Sequence, residues 1–365
     1  MMIQPDIFPG LDASTADLLR RHSIDADASV RTALAALNSL SGRAMTLFAV
    51  SADGLLKGTV TDGDIRRGLI AGVNLEDKVS RVMHTDFLSA SPTDDLCMKI
   101  AEGRRRRLAL LPVTDNGRII SIIDLNSVKT MLPIDAVLMA GGRGERLRPL
   151  TLDTPKPLLK VGDKPIIEYN VEELEACGVK NIYVTVNYLA EQIIAHFNRR
   201  EGRASVRCVK EPKRLGTIGS LSLIDDFEND NILLMNSDLL TSLDFEALYV
   251  RHISSGADVT MSAVPYAVSV PFAIMNIEGD WVRGIEEKPT FNYLANAGVY
   301  LIRRDLISRI PKGEYLDAPD FISSVINEGG KVGYCPVQGS WIDIGSPDDF
   351  RHANDMMNHK ALFTK

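Results

Sequence analysis

The apolar stretch AVLMA at residues 136–140 runs directly into the glycine-rich GGRG of residues 141–144, and few folds accept that junction. Beyond it, β-rich and helical segments take turns. Residues 181–186, 231–235, 259–264 and 297–302 are rich in β-branched and other apolar side chains, and helical spacing marks 167–177, 193–199 and 245–254 between them. Such alternation predicts an α/β fold: a Rossmann-like, mixed but mostly parallel sheet covered on both faces, with ligands at the carboxyl ends of its strands. Glycines at a strand end let backbone N–H groups turn inward as an anion-binding nest, and the arginines and lysine that follow add full charge. The loop fits neither GxGxxG nor GxxxxGK[ST], which weighs against hydride transfer and against a P-loop.

The first 132 residues contain an internal repeat. MTLFAV from Met45, a turn at Asp53 and Gly54 and a strand at 55–60 recur as LALLPV from Leu108, a turn at Asn116 and Gly117 and a strand at 118–123. Each copy reads as strand, turn, strand and then helix. A helical segment precedes each hairpin: 30–40, with Val30, Ala33, Leu34 and Leu37 on one face, and the weaker 96–102. Two copies of a unit too small to bury its own core are expected to pack together. Pro133 interrupts the helical pattern just before the strand at 136, so the expected domains are 1–132, with repeats at about 22–75 and 82–131, and 133–365.

At 365 residues, 45% hydrophobic and 24% charged, the chain has room for two or three ordinary domains and is neither disordered nor fibrous. Basic and acidic residues balance over 1–132, so the net charge of −7 belongs to the remainder. Without surplus basic charge, non-specific nucleic-acid binding is not expected. The run from Arg104 to Arg107 reads as a solvated face, with a pocket for a phosphorylated ligand as the alternative. No apolar run reaches the roughly 18 residues of a membrane span, and residues 1–21 lack a basic leader and apolar block, so a cytoplasmic protein is expected. Cys97, Cys177, Cys208 and Cys335 lack paired spacing and read as reduced thiols. None of the six histidines sits in an HExxH or triad-like context.

Two resemblances sharpen this picture. GTVTDGDIRR, residues 58–67, looks like the end of a cystathionine-β-synthase (CBS) motif, and two copies make an α+β tandem (Bateman) module over about residues 22–131. The resemblance implies that Thr61 and Asp64 hold the ribose of an adenine nucleotide. The second copy has Asp124 and Ser127 at the matching places, so at most one such site is implied; a dimerisation module without ligand is the alternative.

The second resemblance covers about residues 134–350. GGRGER from Gly141, PKP from Pro155, LGT from Leu215, NSD from Asn236, EEKP from Glu286, NAG from Asn296 and WIDIG from Trp341 closely resemble, in that order, the sugar-1-phosphate nucleotidyltransferases. The implied reaction is attack by a sugar 1-phosphate on the α-phosphorus of a nucleoside triphosphate, giving a nucleotide sugar and pyrophosphate. The phosphate nucleophile is already anionic, so the need is for positioning and cations rather than a general base. By the resemblance Arg146 and Lys156 grip the triphosphate, and Asp238 and Asp343 are catalytic Mg²⁺ ligands. Gly141, Gly142, Gly144, Glu211, Gly216 and Thr217 face the nucleotide, with Gly216 and Gly219 allowing its close approach. Glu287, Lys288, Asn296 and Gly298 face the sugar phosphate.

The base is less determined. Pyrimidine-using relatives commonly carry Gln before the Leu-Gly-Thr stretch, where this chain has Lys210 and Glu211. A carboxylate can accept from guanine N1–H and N2–H₂, whereas uracil or thymine offers only N3–H, so GTP is favoured. A CBS pair ahead of a short transferase, without a C-terminal left-handed β-helix, resembles the glucosamine-1-phosphate guanylyltransferases of legionaminic acid biosynthesis. The alternatives are a UTP- or dTTP-dependent hexose-1-phosphate enzyme and a non-catalytic regulatory subunit. A homodimer or higher homo-oligomer is the default expectation.

Overall fold

The computed structural model describes residues 13–40 and 44–363; the segment 1–12, read above for a leader, lies outside the described residues. The chain divides into two compact units, Met1–Met131 and Leu132–Lys365.

In the first unit the helix Val30–Ser39 starts at Ser29, whose hydroxyl accepts from the Thr32 N–H at 3.2 Å, and it buries Val30, Ala33 and Leu37. Strands Ser23–Asp25, Thr46–Val50 and Leu56–Thr61 form a three-stranded sheet. The second copy pairs Leu110–Asp115 with Arg118–Asp124, and a single parallel bridge from Ala90 to Val113 stands where the first copy has its outer strand. Each copy has its own apolar cluster, and a third joins them: Phe48 and Val50 from one hairpin pack with Leu110, Ile119 and Ile122 from the other. The helix expected after each hairpin forms only once, at Asp62–Ile70. Residues 125–127 make a turn instead, because Asp124 accepts from the Asn126 N–H at 2.9 Å and no helix-capping box follows. The arginine run is largely helix-end structure. Arg104 donates to the carbonyls of Val128 and Lys129, Arg106 pairs with Glu102, and Arg107 takes the left-handed conformation (φ +58°) that stops the helix.

The second unit is built on a seven-stranded sheet in the spatial order Ser205–Lys210, Asn181–Val186, Asp135–Met139, Asn231–Asn236, Thr290–Arg303, Val259–Ser269, Val332–Pro336. Thr290–Arg303 runs against both neighbours; all other adjacent pairs are parallel. Asp135–Met139 therefore has a strand on each side, and its unbroken apolar run is that of a strand covered on both faces. Helices Ile166–Ala176, Ala190–Phe197 and Phe245–Ser255 stand where the spacing places helices. The last is bounded by Asp244, which accepts from the Ala247 N–H at 2.9 Å, and by Gly256 at φ +60°. One core gathers Val137, Leu234, Ile302 and Phe321 between sheet and helices.

Several elements depart from the sequence reading. Val259–Ser269 and Thr290–Arg303 are longer than the expected 259–264 and 297–302, and their outer ladder pairs exposed residues: Tyr266 with Tyr293, Val268 with Phe291. A separate hairpin, Ile274–Glu278 with Trp281–Glu286, lies between them in sequence. Strand Ser205–Lys210 and helices Ala318–Asn327 and Pro347–Phe363 have no counterpart in that reading. The carboxyl ends of the four strands beginning at Asp135, Asn181, Ser205 and Asn231 open onto one cavity.

Candidate functional site

That cavity, about 740 Å³, is lined by the loop from Ala140 to Leu147, by Asn187, by Pro212, Lys213 and Arg214, and by Ser237 and Asp238. Each group follows directly on one of the four parallel strands, as ligand sites of open α/β sheets do. The glycines of the first loop serve different ends. Gly144 is left-handed (φ +59°), and a Cβ there would sit 2.9 Å from Thr151 Cγ2 and 3.1 Å from Lys156 Cβ. Thr151 closes the turn by donating to the Gly144 carbonyl at 2.8 Å. Gly142 faces open space, and a Cβ on Gly141 would meet Glu211 Oε1 at 2.9 Å.

The cationic centre lies beside this loop. Lys156 opens a short 3₁₀ turn after Pro155, is only 9% exposed, and pairs its ammonium with the Asp238 carboxylate; Asp343 Oδ1 is 3.9 Å from the same nitrogen. Asp343 arrives on the short strand Trp341–Asp343, antiparallel to Leu239–Thr241 with Leu239 opposite Asp343. The Ile344 N–H donates to the Asp238 carbonyl at 3.2 Å, tying the two acidic residues together through the backbone. Burial and the adjacent Asp238 charge raise the Asp343 carboxyl above the ordinary range, against the pull of Lys156 and Arg146. Arg146 lies against Gly345, where a Cβ would be 3.2 Å from Nη1, so Gly345 lets the guanidinium lie close over the backbone. The four residues expected to be catalytic are thus brought together.

The other expected site residues divide. Glu211 is 6% exposed and is not among the cavity-lining residues; Oε2 accepts from the Leu215 N–H at 3.1 Å, and the Thr185 hydroxyl adds a second bond. Burial raises its carboxyl above the ordinary range. The side chain expected to read the base instead braces its own turn beneath Gly141. Gly216, at φ +79°, and Gly219 are needed by the fold itself, because a Cβ at either would clash with a backbone carbonyl of the segment from Glu314 to Leu316. Thr217 is also used structurally: its hydroxyl accepts from the Ala318 N–H at 2.7 Å and caps Ala318–Asn327. Asn296 donates to the Tyr300 hydroxyl at 2.6 Å and accepts from the Gly298 N–H, and Gly298 (φ +74°) leaves room for Asn236. Glu287 and Lys288 are exposed and lie outside the cavity lining. Asn187 and Ser237 do line it and escaped the sequence reading, although each follows a parallel strand directly. In the first unit Thr61 and Asp64 form a reciprocal capping box, with Thr61 N–H and Oγ1 both donating to Asp64 Oδ2 at 2.8 and 2.6 Å, while Arg67 pairs with Oδ1.

Among the described residues no cluster of three or more His, Cys, Asp or Glu side chains forms a metal cage. Two converging carboxylates are nevertheless the donor set of a Mg²⁺ ion that takes its other ligands from water and substrate phosphates, and Asp238 and Asp343 fit it. No helix of the described residues is long and apolar enough to cross a membrane.

Comparison with known proteins places this arrangement. The chain is 30% identical over 225 residues to the "Putative mannose-1-phosphate guanyltransferase" of Sulfolobus acidocaldarius, covering 60% of this chain and 62% of that protein. It is 30% identical over 228 residues to the mannose-1-phosphate guanylyltransferase of Mycobacterium tuberculosis, covering 60% and 62%. The chain thus spans less than two thirds of the length of the curated relatives it matches. Among solved structures, a "Putative Glucose-1-Phosphate Thymidylyltransferase" from Bacillus anthracis in complex with sucrose superposes with a TM-score of 0.50 at 26% identity, covering 61% of this chain and 94% of that one. Residues 135–360, which carry the glycine loop, Lys156 and both carboxylates, match the nucleotidyl transferase family, and the chain belongs to it.

Proposed function

We propose that this protein is a magnesium-dependent sugar-1-phosphate nucleotidyltransferase that uses GTP. The observation that carries the reading is the convergence of Lys156, Arg146, Asp238 and Asp343 beside a glycine loop at the carboxyl ends of parallel strands. An oxygen of the sugar phosphate attacks the α-phosphorus, the bond to the β-phosphate bridge breaks, and pyrophosphate leaves with that electron pair. No proton need move. Arg146 and Lys156 bind the triphosphate and balance charge on the departing pyrophosphate, and the Gly141–Gly144 turn offers N–H groups to phosphate oxygens. Mg²⁺ held by Asp238 and Asp343 would supply a second positive centre on the phosphates.

Support for GTP comes from the guanylyltransferase relatives rather than from Glu211, whose carboxylate is already engaged. Those relatives are named for mannose 1-phosphate; the order of a CBS-like repeat and a transferase unit favours glucosamine 1-phosphate. A UTP- or dTTP-dependent enzyme is the second reading, favoured by the thymidylyltransferase neighbour. We assign the first unit as a tandem CBS module that dimerises the protein or regulates it through an adenine nucleotide. The test is pyrophosphate release with Mg²⁺ across GTP, UTP, dTTP, CTP and ATP against mannose, glucosamine, glucose and N-acetylglucosamine 1-phosphates. Turnover confined to GTP supports the main reading, a preference for dTTP or UTP replaces the base assignment, and silence across the grid favours the non-catalytic regulatory subunit or a sugar outside the grid.

A further inference from the structure

We propose that the Lys156 ammonium is the resident counter-ion of the metal-free site, and that a divalent cation enters only when a nucleotide gives this lysine a new anionic partner. The inference rests on the metal and nucleotide reading above and adds the order in which the charges arrive. Asp238 and Asp343 are held close by the pairing of Leu239–Thr241 with Trp341–Asp343 and cannot separate without breaking that ladder. Two fixed carboxylates repel each other, and a cation beside them offsets that repulsion. Lys156 provides it: its side chain is 11% exposed, its ammonium pairs with Asp238, and Asp343 is 3.9 Å away.

The lysine is also confined. Pro155 and Pro157 fix its backbone on either side, and Gly144 leaves only enough room for its stem. Arg146 also attracts Asp343, with its guanidinium lying over Gly345. A bare divalent cation would have to displace an ammonium whose carboxylate partners, among the described residues, are Asp238 and Asp343. A triphosphate removes that obstacle: it brings several negative charges, the ammonium moves onto phosphate, and the freed carboxylates take the metal that the nucleotide carries. Lys156 thus exchanges a carboxylate partner for a phosphate partner, and metal binding is coupled to nucleotide binding through it.

The test uses the full-length protein and Mn²⁺ as the probe, followed by enhancement of water-proton relaxation. Wild type is expected to bind Mn²⁺ weakly alone and well with GTP. Lys156→Met is expected to bind Mn²⁺ without nucleotide at least about tenfold more tightly than wild type, since one full opposing charge has gone. Lys156→Arg, which keeps the charge, is expected to bind Mn²⁺ alone as weakly as wild type. The metal-free methionine variant should melt below wild type and recover on adding Mn²⁺. Should Lys156→Met fail to fold, wild type and Lys156→Arg still decide the matter: tight binding of Mn²⁺ alone by both overturns the exchange. Equal binding of Mn²⁺ alone by wild type and Lys156→Met overturns it as well. Absence of Mn²⁺ binding in wild type even with GTP would overturn both the exchange and the metal reading beneath it, whereas normal Mn²⁺–GTP binding with no effect of Lys156→Met would sink the exchange alone.

Discussion

Replacing Asp238 by asparagine removes one of the two charges on which the site depends while preserving shape. In the folded protein the change has opposing effects. Lys156 loses its closest partner, which for a mostly buried cation would cost about 3–5 kcal/mol if nothing compensated. Yet Asp343 remains 3.9 Å from the ammonium and is relieved of the neighbouring charge that raises its own carboxyl, so most of that cost is returned. The expected loss of stability is about 1 kcal/mol, a few degrees in Tm for a domain of this size. Catalysis has no such compensation: the position where the metal and the departing pyrophosphate meet loses one fixed charge. Loss of one preorganised electrostatic element costs about 10²- to 10³-fold in kcat, roughly 3–4 kcal/mol at the transition state. Pyrophosphate release at saturating GTP, sugar phosphate and Mg²⁺, alongside a thermal melt, measures both numbers. A kcat within threefold of wild type with an unchanged Mg²⁺ dependence would refute the assignment of Asp238 to the reacting centre.

Other consequences concern the scaffold. His252 is 1% exposed, bonded to Thr260 and Asn231, and its pKa is pushed down to about 4 by burial and by the charge of Arg303. Between its ordinary value near 6.5 and 4 only the unfolded chain binds the proton, so the stability present above pH 6.5 falls by about 3 kcal/mol as pH drops through that window. Urea midpoints against pH should flatten in His252→Gln. Arg200→Met leaves the carboxylates of Glu168 and Glu175 mostly buried without their guanidinium, and should cost about 3–5 kcal/mol in urea unfolding. Gly216→Ala forces a side chain into the left-handed region against the Leu316 carbonyl, so a loss of about 3 kcal/mol is expected. Its folded fraction should keep the wild-type KM for GTP; a specific rise in KM would restore Gly216 to the nucleotide site.

Legibility from the sequence followed how local the causes were. The strand 136–140 and the glycine turn after it were plain, because a strand covered on both faces reads as an unbroken apolar run and its exit must turn sharply. Lys156, Asp238 and Asp343 were found through motif order alone, since nothing in local spacing reveals that a strand beginning at Trp341 pairs with Leu239–Thr241. The roles given to Glu211, Gly216 and Thr217 meet the opposite difficulty. Their residue types suit a ligand, but a buried carboxylate, a left-handed glycine and a helix-capping threonine suit the chain's own backbone equally well, and only the contacts with Leu215, Leu316 and Ala318 distinguish the two. The hairpin Ile274–Glu278 with Trp281–Glu286 stayed hidden because residues such as Trp281 and Ile285 are exposed at about 70%, so burial does not alternate along it.

The pairing that delivers Asp343 also sets a schedule. A ribosome releases the glycine loop, Lys156 and Asp238 long before Trp341–Asp343, and the central sheet itself waits for Thr290–Arg303 to enter between strands made earlier. Until then the nascent second unit holds neither its antiparallel member nor its second acid. The charge cluster is therefore among the last features to exist, and a product that stops short of residue 343 is expected to be inert, with no weaker version of the activity to interfere with its full-length siblings.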